Sequence, residues 1–226
     1  QRAARGGGAS VLFTVNPDAP PTSFDGNWVA VHEFVHFIHP VLADDDAWLR
    51  EGLATYYQEV LRARAGMQSP QEAWTRLARG LHAGMAAPGG RPLGDESARM
   101  HDRGSYLRVY WAGAALALMG DVEIRRATHG RSSLDTVLRA LYHEGHADPA
   151  RVWTARDVSA LFDRAAGTSV WGELTRRALR SPRFPDVDRT LRELGVRIVQ
   201  ERAALDPRAP LAPLRDAIMA RADTVR

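Results

Sequence analysis

His32-Glu33-Phe34-Val35-His36, followed after Pro40 by Trp48-Leu49-Arg50-Glu51-Gly52-Leu53-Ala54-Thr55-Tyr56-Tyr57, is the stretch on which the reading of this chain turns. Residues 25–39 carry apolar side chains at helical spacing, and Pro40, which lacks an amide hydrogen, stops the pattern. A second helix is predicted to start at Asp44-Asp45-Asp46, whose carboxylates suit a helix N-terminus, and to run to about Arg64 before Gly66. Two antiparallel helices joined by so short a turn bring Glu51 against the face that carries His32 and His36. Thr55, one turn beyond Glu51, is placed to hydrogen-bond it.

A separation of four residues puts both imidazoles on one helix face with their Cβ atoms about 6 Å apart. Zinc accepts two histidine nitrogens at about 2.0 Å in that arrangement. In a helical H-E-x-x-H pattern the glutamate reaches the water that the metal activates, and here that residue is Glu33. Catalytic zinc keeps three protein ligands and one open position, whereas structural zinc closes with four. His32, His36 and Glu51 supply three. The plainer readings are two histidines on a surface helix and an exposed glutamate. The apolar setting of Trp48, Leu49 and Leu53 counts against the second.

The chain of 226 residues is long enough to bury a core without staples, and 45% hydrophobic with 25% charged residues argues against a disordered chain. All 30 basic residues are Arg, but the net charge is only +3 and the arginines alternate with acids, as in Glu123-Ile124-Arg125-Arg126. That is a solvated helix face, so no nucleic-acid partner is expected. Apolar runs such as 112–119 are too short for a membrane span. The absence of cysteine removes thiolate sites and disulfides, and leaves the compartment open.

Around the central pair the pattern is mainly α. The first 22 residues read as a Gly-rich start, a β-prone run 11–15 and a Pro20-Pro21 turn. Ser69-Pro70-Gln71-Glu72 is a capping box that opens a third helix. Residues 87–104 read as a long loop able to edge a cleft, with Asp102 and Arg103 as candidate substrate contacts. Further helices are predicted over 106–128, from the cap at Ser133 to Gly145, and over 154–165, 170–179, 185–194 and 213–222, with a short strand at 196–199. Three units are expected: 1–22, a β remnant or substrate-edge strand; 23–200, the helical catalytic domain; and 201–226, a tail helix.

These two helices resemble those of the gluzincin metallopeptidases, and within them the glycyl aminopeptidase-like group. Tyr110-Trp111-Ala112-Gly113 resembles the family's later Y-x-K-G segment, and the similarity extends over residues 6–145. It implies a thermolysin-like helical catalytic domain with a short β segment at the N-terminus. It implies one zinc per chain held by His32, His36 and Glu51, with Glu33 as general base and Tyr110 donating to the oxyanion. It implies a peptide or protein substrate, a bacterial secreted or periplasmic location, and a further N-terminal domain that these residues do not contain. For Tyr110 a core aromatic on an amphipathic helix is the alternative, and Tyr106 is a rival donor one turn earlier.

Three positions depart from the family. Only 14 residues separate His36 from Glu51, so the connection is tight. Ala112 stands in place of the lysine. Gly6-Gly7-Gly8-Ala9-Ser10 lacks the carboxylate that grips a free substrate amine, which leaves exclusive aminopeptidase action without its anion. Elsewhere, His143-Glu144-Gly145-His146 is one residue short of a metal pattern and reads as a helix C-terminus, while His39 is expected to line the cleft. The competing function is a zinc-binding pseudoenzyme or interaction module of the same fold. The presence of Glu33 argues against it.

Overall fold

The computed structural model describes residues 2–4, 10–14, 16–20 and 27–221. It is mainly α, with eleven helices and two small hairpins among those residues. Helix α1 (Trp28–Val35) starts where the Asn27 side chain accepts the Val29 N–H at 2.9 Å. It is shorter than the predicted 25–39. Past Val35 the amides of His36, Phe37 and Ile38 bond three residues back rather than four, tightening the last turn before Pro40. His36 nevertheless keeps helical backbone angles, so it remains one turn above His32.

The link that follows is clamped. Ala43 N–H donates to the Trp153 carbonyl and Trp153 N–H to the Val41 carbonyl, each at 2.8 Å. A 3₁₀ turn at Asp44–Asp46 then leads into α2 (Ala47–Arg64). The three aspartates do not cap α2 with their side chains. Instead Ser97 Oγ accepts the Trp48 N–H at 3.0 Å and donates to the Asp45 carbonyl, while Asp46 accepts the Ala155 N–H at 2.7 Å. The carboxylate thus serves the start of another helix, α8 (Ala155–Ala166), because the link is pressed against it.

Helix α3 (Pro70–Ala86) opens with the predicted capping box. Residues 87–104 are not one long loop: they hold α4 (Leu93–Ala98) and α5 (Met100–Arg103). Both are too short to show a helical period, and they are held by burial of Leu93 and Met100. The remaining helices are α6 (Tyr106–Ala127), α7 (Leu134–His146), α8 (Ala155–Ala166), α9 (Val170–Leu179), α10 (Val187–Glu193) and α11 (Ala212–Met219). Gly145 does not end α7: it lies buried inside the last turn, against Pro40.

At the N-terminus β1 (Arg2–Ala4) pairs antiparallel with β2 (Ser10–Leu12). Val15 and the segment 5–9, including Gly6 to Ala9, lie outside the described residues, as do residues 21–26. The predicted strand β3 (Val196–Val199) has a partner the sequence did not suggest, β4 (Arg202–Leu205). The boundary expected at residue 200 falls in the turn of this hairpin.

The core is the crossing of α2 and α6, where the two backbones touch. A Cβ on Gly113 would lie 1.9 Å from the Trp48 carbonyl oxygen, and one on Gly52 would lie 2.4 Å from Gly113 Cα. Only glycine fits at either position. This contact fixes the site, because Glu51 precedes Gly52 and Tyr110 sits one turn before Gly113.

Candidate metal centre

One ligand atom from each of His32, His36 and Glu51 lies within 4.8 Å of the others, and among the described residues this is the group that could hold a metal. All three side chains are buried. His32 Nε2 and His36 Nε2 lie 3.3 and 3.6 Å from the same carboxylate oxygen, Glu51 Oε2. The other carboxylate oxygen accepts Arg50 Nε–H at 3.0 Å.

The outer hydrogen bonds decide which nitrogens are available. Glu59 accepts the Gln58 amide N–H at 3.1 Å, which turns the Gln58 oxygen towards His32, and His32 Nδ1–H donates to it at 2.9 Å. Glu59 is itself held by Arg62 at 3.1 Å and Gln68 at 2.9 Å. On the other side the Pro40 carbonyl can only accept, so His39 carries its proton on Nδ1 (2.8 Å) and presents Nε2 as acceptor to His36 Nδ1–H at 3.3 Å. Both metal-facing Nε2 atoms are therefore bare in the neutral imidazoles.

Two lone pairs facing an acceptor-only carboxylate repel unless a cation lies between them. The donor set of two imidazoles and one carboxylate suits zinc. Without a metal, the same field draws a proton: burial lowers the His32 pKa, but the bonds to Glu51 and Gln58 outweigh it and hold the group above its ordinary value. Burial pushes Glu51 the other way, and the two histidines together with Arg50 more than reverse it, so the carboxyl lies far below the usual carboxylate range.

Glu33 follows His32 on α1, half-buried, and its charge acts on the His32 ring. Tyr110 stacks on His32 with ring centroids 6.2 Å apart and planes 14° apart. Burial first, then the neighbouring Glu51 carboxylate, raises its phenol well above the ordinary tyrosine value, so it stays a hydrogen-bond donor. Tyr106 instead lies at the surface with its hydroxyl on His101 at 3.0 Å. A cavity of about 850 Å³ opens beside the cluster, bordered by Trp28, His32, Tyr110 and Trp111.

Several sequence expectations change here. Thr55 makes no hydrogen bond to Glu51, since its buried hydroxyl has no partner among the described residues. His39 does not line the cavity but orients His36. Gln58 was missed, although its position seven residues after Glu51 puts it two turns along the same face of α2. Arg103 is bound to Asp95 at 3.1 Å and does not border this cavity. His146 bonds the Tyr142 carbonyl and Glu144 pairs with Arg164, which leaves the His143–His146 segment as helix end and surface.

Residues 38–110 match the family model of the M61 glycyl aminopeptidases. Over this stretch the chain is similar to a gluzincin-type peptidase family. The M61 match spans about a third of the chain and includes Glu51 and Tyr110. It begins beyond His36, so His32, Glu33 and His36 rest on their own spacing and geometry. No curated protein matches the chain. Among the described residues, no helix is long and apolar enough to cross a membrane.

Proposed function

We propose that this protein is a zinc-dependent peptidase that cleaves peptide bonds with a water activated at His32, His36 and Glu51. The observation that carries this reading is the convergence of three bare acceptor atoms beside a cavity that His32 and Tyr110 line, with Glu33 next to His32 on α1. His32 Nε2, His36 Nε2 and the Glu51 carboxylate would hold the zinc ion, which when bound would supply Lewis acidity towards the scissile carbonyl and water.

The remaining work belongs to the chain. Glu33 removes the proton from the attacking water and returns it to the leaving amine. Tyr110, kept protonated by burial and by Glu51, donates its O–H to the carbonyl oxygen as that oxygen gains charge. Gln58 and His39 hold the two imidazoles in the tautomer that leaves Nε2 free. Trp28 and Trp111 border the cavity with apolar surface, which limits water around the reacting groups.

The M61 match supports peptide substrates, and the resemblance supports an aminopeptidase-like use of them at a secreted or periplasmic location. Hydrolysis of a mixed peptide library that stops on chelation and returns on adding zinc is the expected result. Hydrolysis indifferent to the chelator would overturn the proposal.

A further inference from the structure

The cavity beside the metal cluster has a second end, formed by α3 and the tip of the β3–β4 hairpin. Its wall is built rather than loose. Thr75 Oγ accepts the Ala203 N–H at 2.9 Å and the Gln71 amide donates to the Ala203 carbonyl at 2.9 Å, pinning the hairpin to α3. The turn between the strands puts two non-glycine residues, Gln200 at φ 47° and Glu201 at φ 66°, in the left-handed region. That conformation is unfavourable for L-residues and persists only where the surroundings impose it. Trp111 forms the floor, lying on α3 where Gly80 and Gly84 leave room: a Cβ on Gly80 would meet its ring at 1.9 Å.

Arginines from both elements meet at this wall. Arg79 is paired with Glu201 at 3.9 Å. Arg76 and Arg202 have no hydrogen-bonded or ion-paired side-chain partner among the described residues. Glu72 is a counter-charge to both: its pKa is depressed first by the Ser69 backbone and hydroxyl donors and then by the fields of Arg76 and Arg202. Its Oε2 is already spent on Ser69, with two contacts of 2.8 Å. Two exposed guanidiniums thus border the cavity beside Glu72, while the cavity's other carboxylates are paired elsewhere, Glu59 with Arg62 and Gln68 and Glu201 with Arg79.

We propose that Arg76 and Arg202 form a subsite for a carboxylate of the substrate, either an Asp or Glu side chain or the C-terminus of a short peptide. The planar guanidinium fork binds a carboxylate in two-point fashion, which gives direction as well as attraction. The proposal rests on the peptidase reading, and it adds the substrate class: peptides carrying a negative charge away from the cleaved bond.

The test compares the full zinc-loaded chain with the Arg76→Gln/Arg202→Gln double variant, both sites being exposed and outside the core. Peptides matched as Glu against Gln at successive positions, and as C-terminal acid against amide, are assayed for kcat/KM. The wild type is expected to favour one carboxylate series by about tenfold, and the variant to lose that preference while cutting the neutral amide peptides equally well. The series that responds identifies the source of the carboxylate. Equal kcat/KM for all peptides in the wild type, or a preference that survives in the variant, overturns the subsite. If no peptide is cut, fluorescence anisotropy of the same labelled peptides decides: tighter, arginine-dependent binding of the acidic peptide keeps the subsite and rejects the peptidase reading, whereas equal binding rejects both.

Discussion

The candidate metal centre depends on where two protons sit. His32 gives its Nδ1 proton to Gln58 and His36 gives its own to His39, and each of those partners is oriented in turn, by Glu59 and by the Pro40 carbonyl. Gln58→Leu removes an acceptor without adding charge, so the His32 ring loses the bond that fixes its tautomer. Zinc affinity, measured by competition with a chromophoric chelator, is expected to fall about 10- to 100-fold. Unchanged affinity would remove Gln58 from the site. The grouping of His32, His36 and Glu51 was legible in the sequence because helical spacing sets the two histidines on one face and the short link after Pro40 brings Glu51 on α2 against it. Gln58 shares that face two turns on, but nothing local distinguishes it from any buried polar residue. His39 was visible as a neighbour, yet its role depends on a backbone turned by Pro40, which spacing does not encode.

At the scale of elements, the α2–α6 crossing holds Tyr110 over the cluster. Gly113→Ala places a methyl group 1.9 Å from the Trp48 carbonyl, a backbone atom that cannot swing aside. The helices must separate, at a cost of about 1–3 kcal/mol by analogy with overpacked cores. Denaturant unfolding is expected to show that loss, and hydrolysis by the still-folded fraction is expected to drop because Tyr110 moves with α6. A variant as stable and as active as the wild type would contradict the crossing. The long helices and the Ser69 and Ser133 caps were readable from local chemistry. Helices α4 and α5 were not, since six and four residues are too few for a period and their stability comes from tertiary burial. Strand β4 was missed for a related reason: Arg202-Ala203-Ala204-Leu205 has no β-branched residue, and its pairing is imposed by β3 and α3.

Across the whole molecule a buried polar network ties α2 to α6, α7 and α11. Tyr56 and Arg125 bond Asp121 at 3.1 and 2.9 Å, Tyr57 bonds Asp135 at 2.8 Å, and Arg64 grips Asp135 with two contacts of 3.0 Å while reaching the Ile218 carbonyl. Burial raises the Asp135 pKa, but Arg64, Tyr57 and Arg125 reverse this and leave it lower than in the unfolded chain. As pH falls the unfolded chain therefore takes up this proton first. The contribution is complete above the ordinary aspartate range and disappears as pH drops through the lower folded value. Asp135→Asn is expected to lose about 2–3 kcal/mol near neutral pH and to show a shallower decline on the acid side. Parallel acid limbs for the two proteins would contradict this.

The mainly helical class was legible from periodicity over the whole chain, whereas the network was not, because it joins Asp121 and Asp135 to tyrosines more than sixty residues away. The proposed activity requires a metal held by His32, His36 and Glu51 with Glu33 acting on water. The most direct measurement is zinc content together with peptide hydrolysis for the wild type and Glu33→Gln. The prediction is about one zinc per chain in both proteins, with hydrolysis only in the wild type. Equal hydrolysis by the two, or a wild type that binds no zinc, would contradict it.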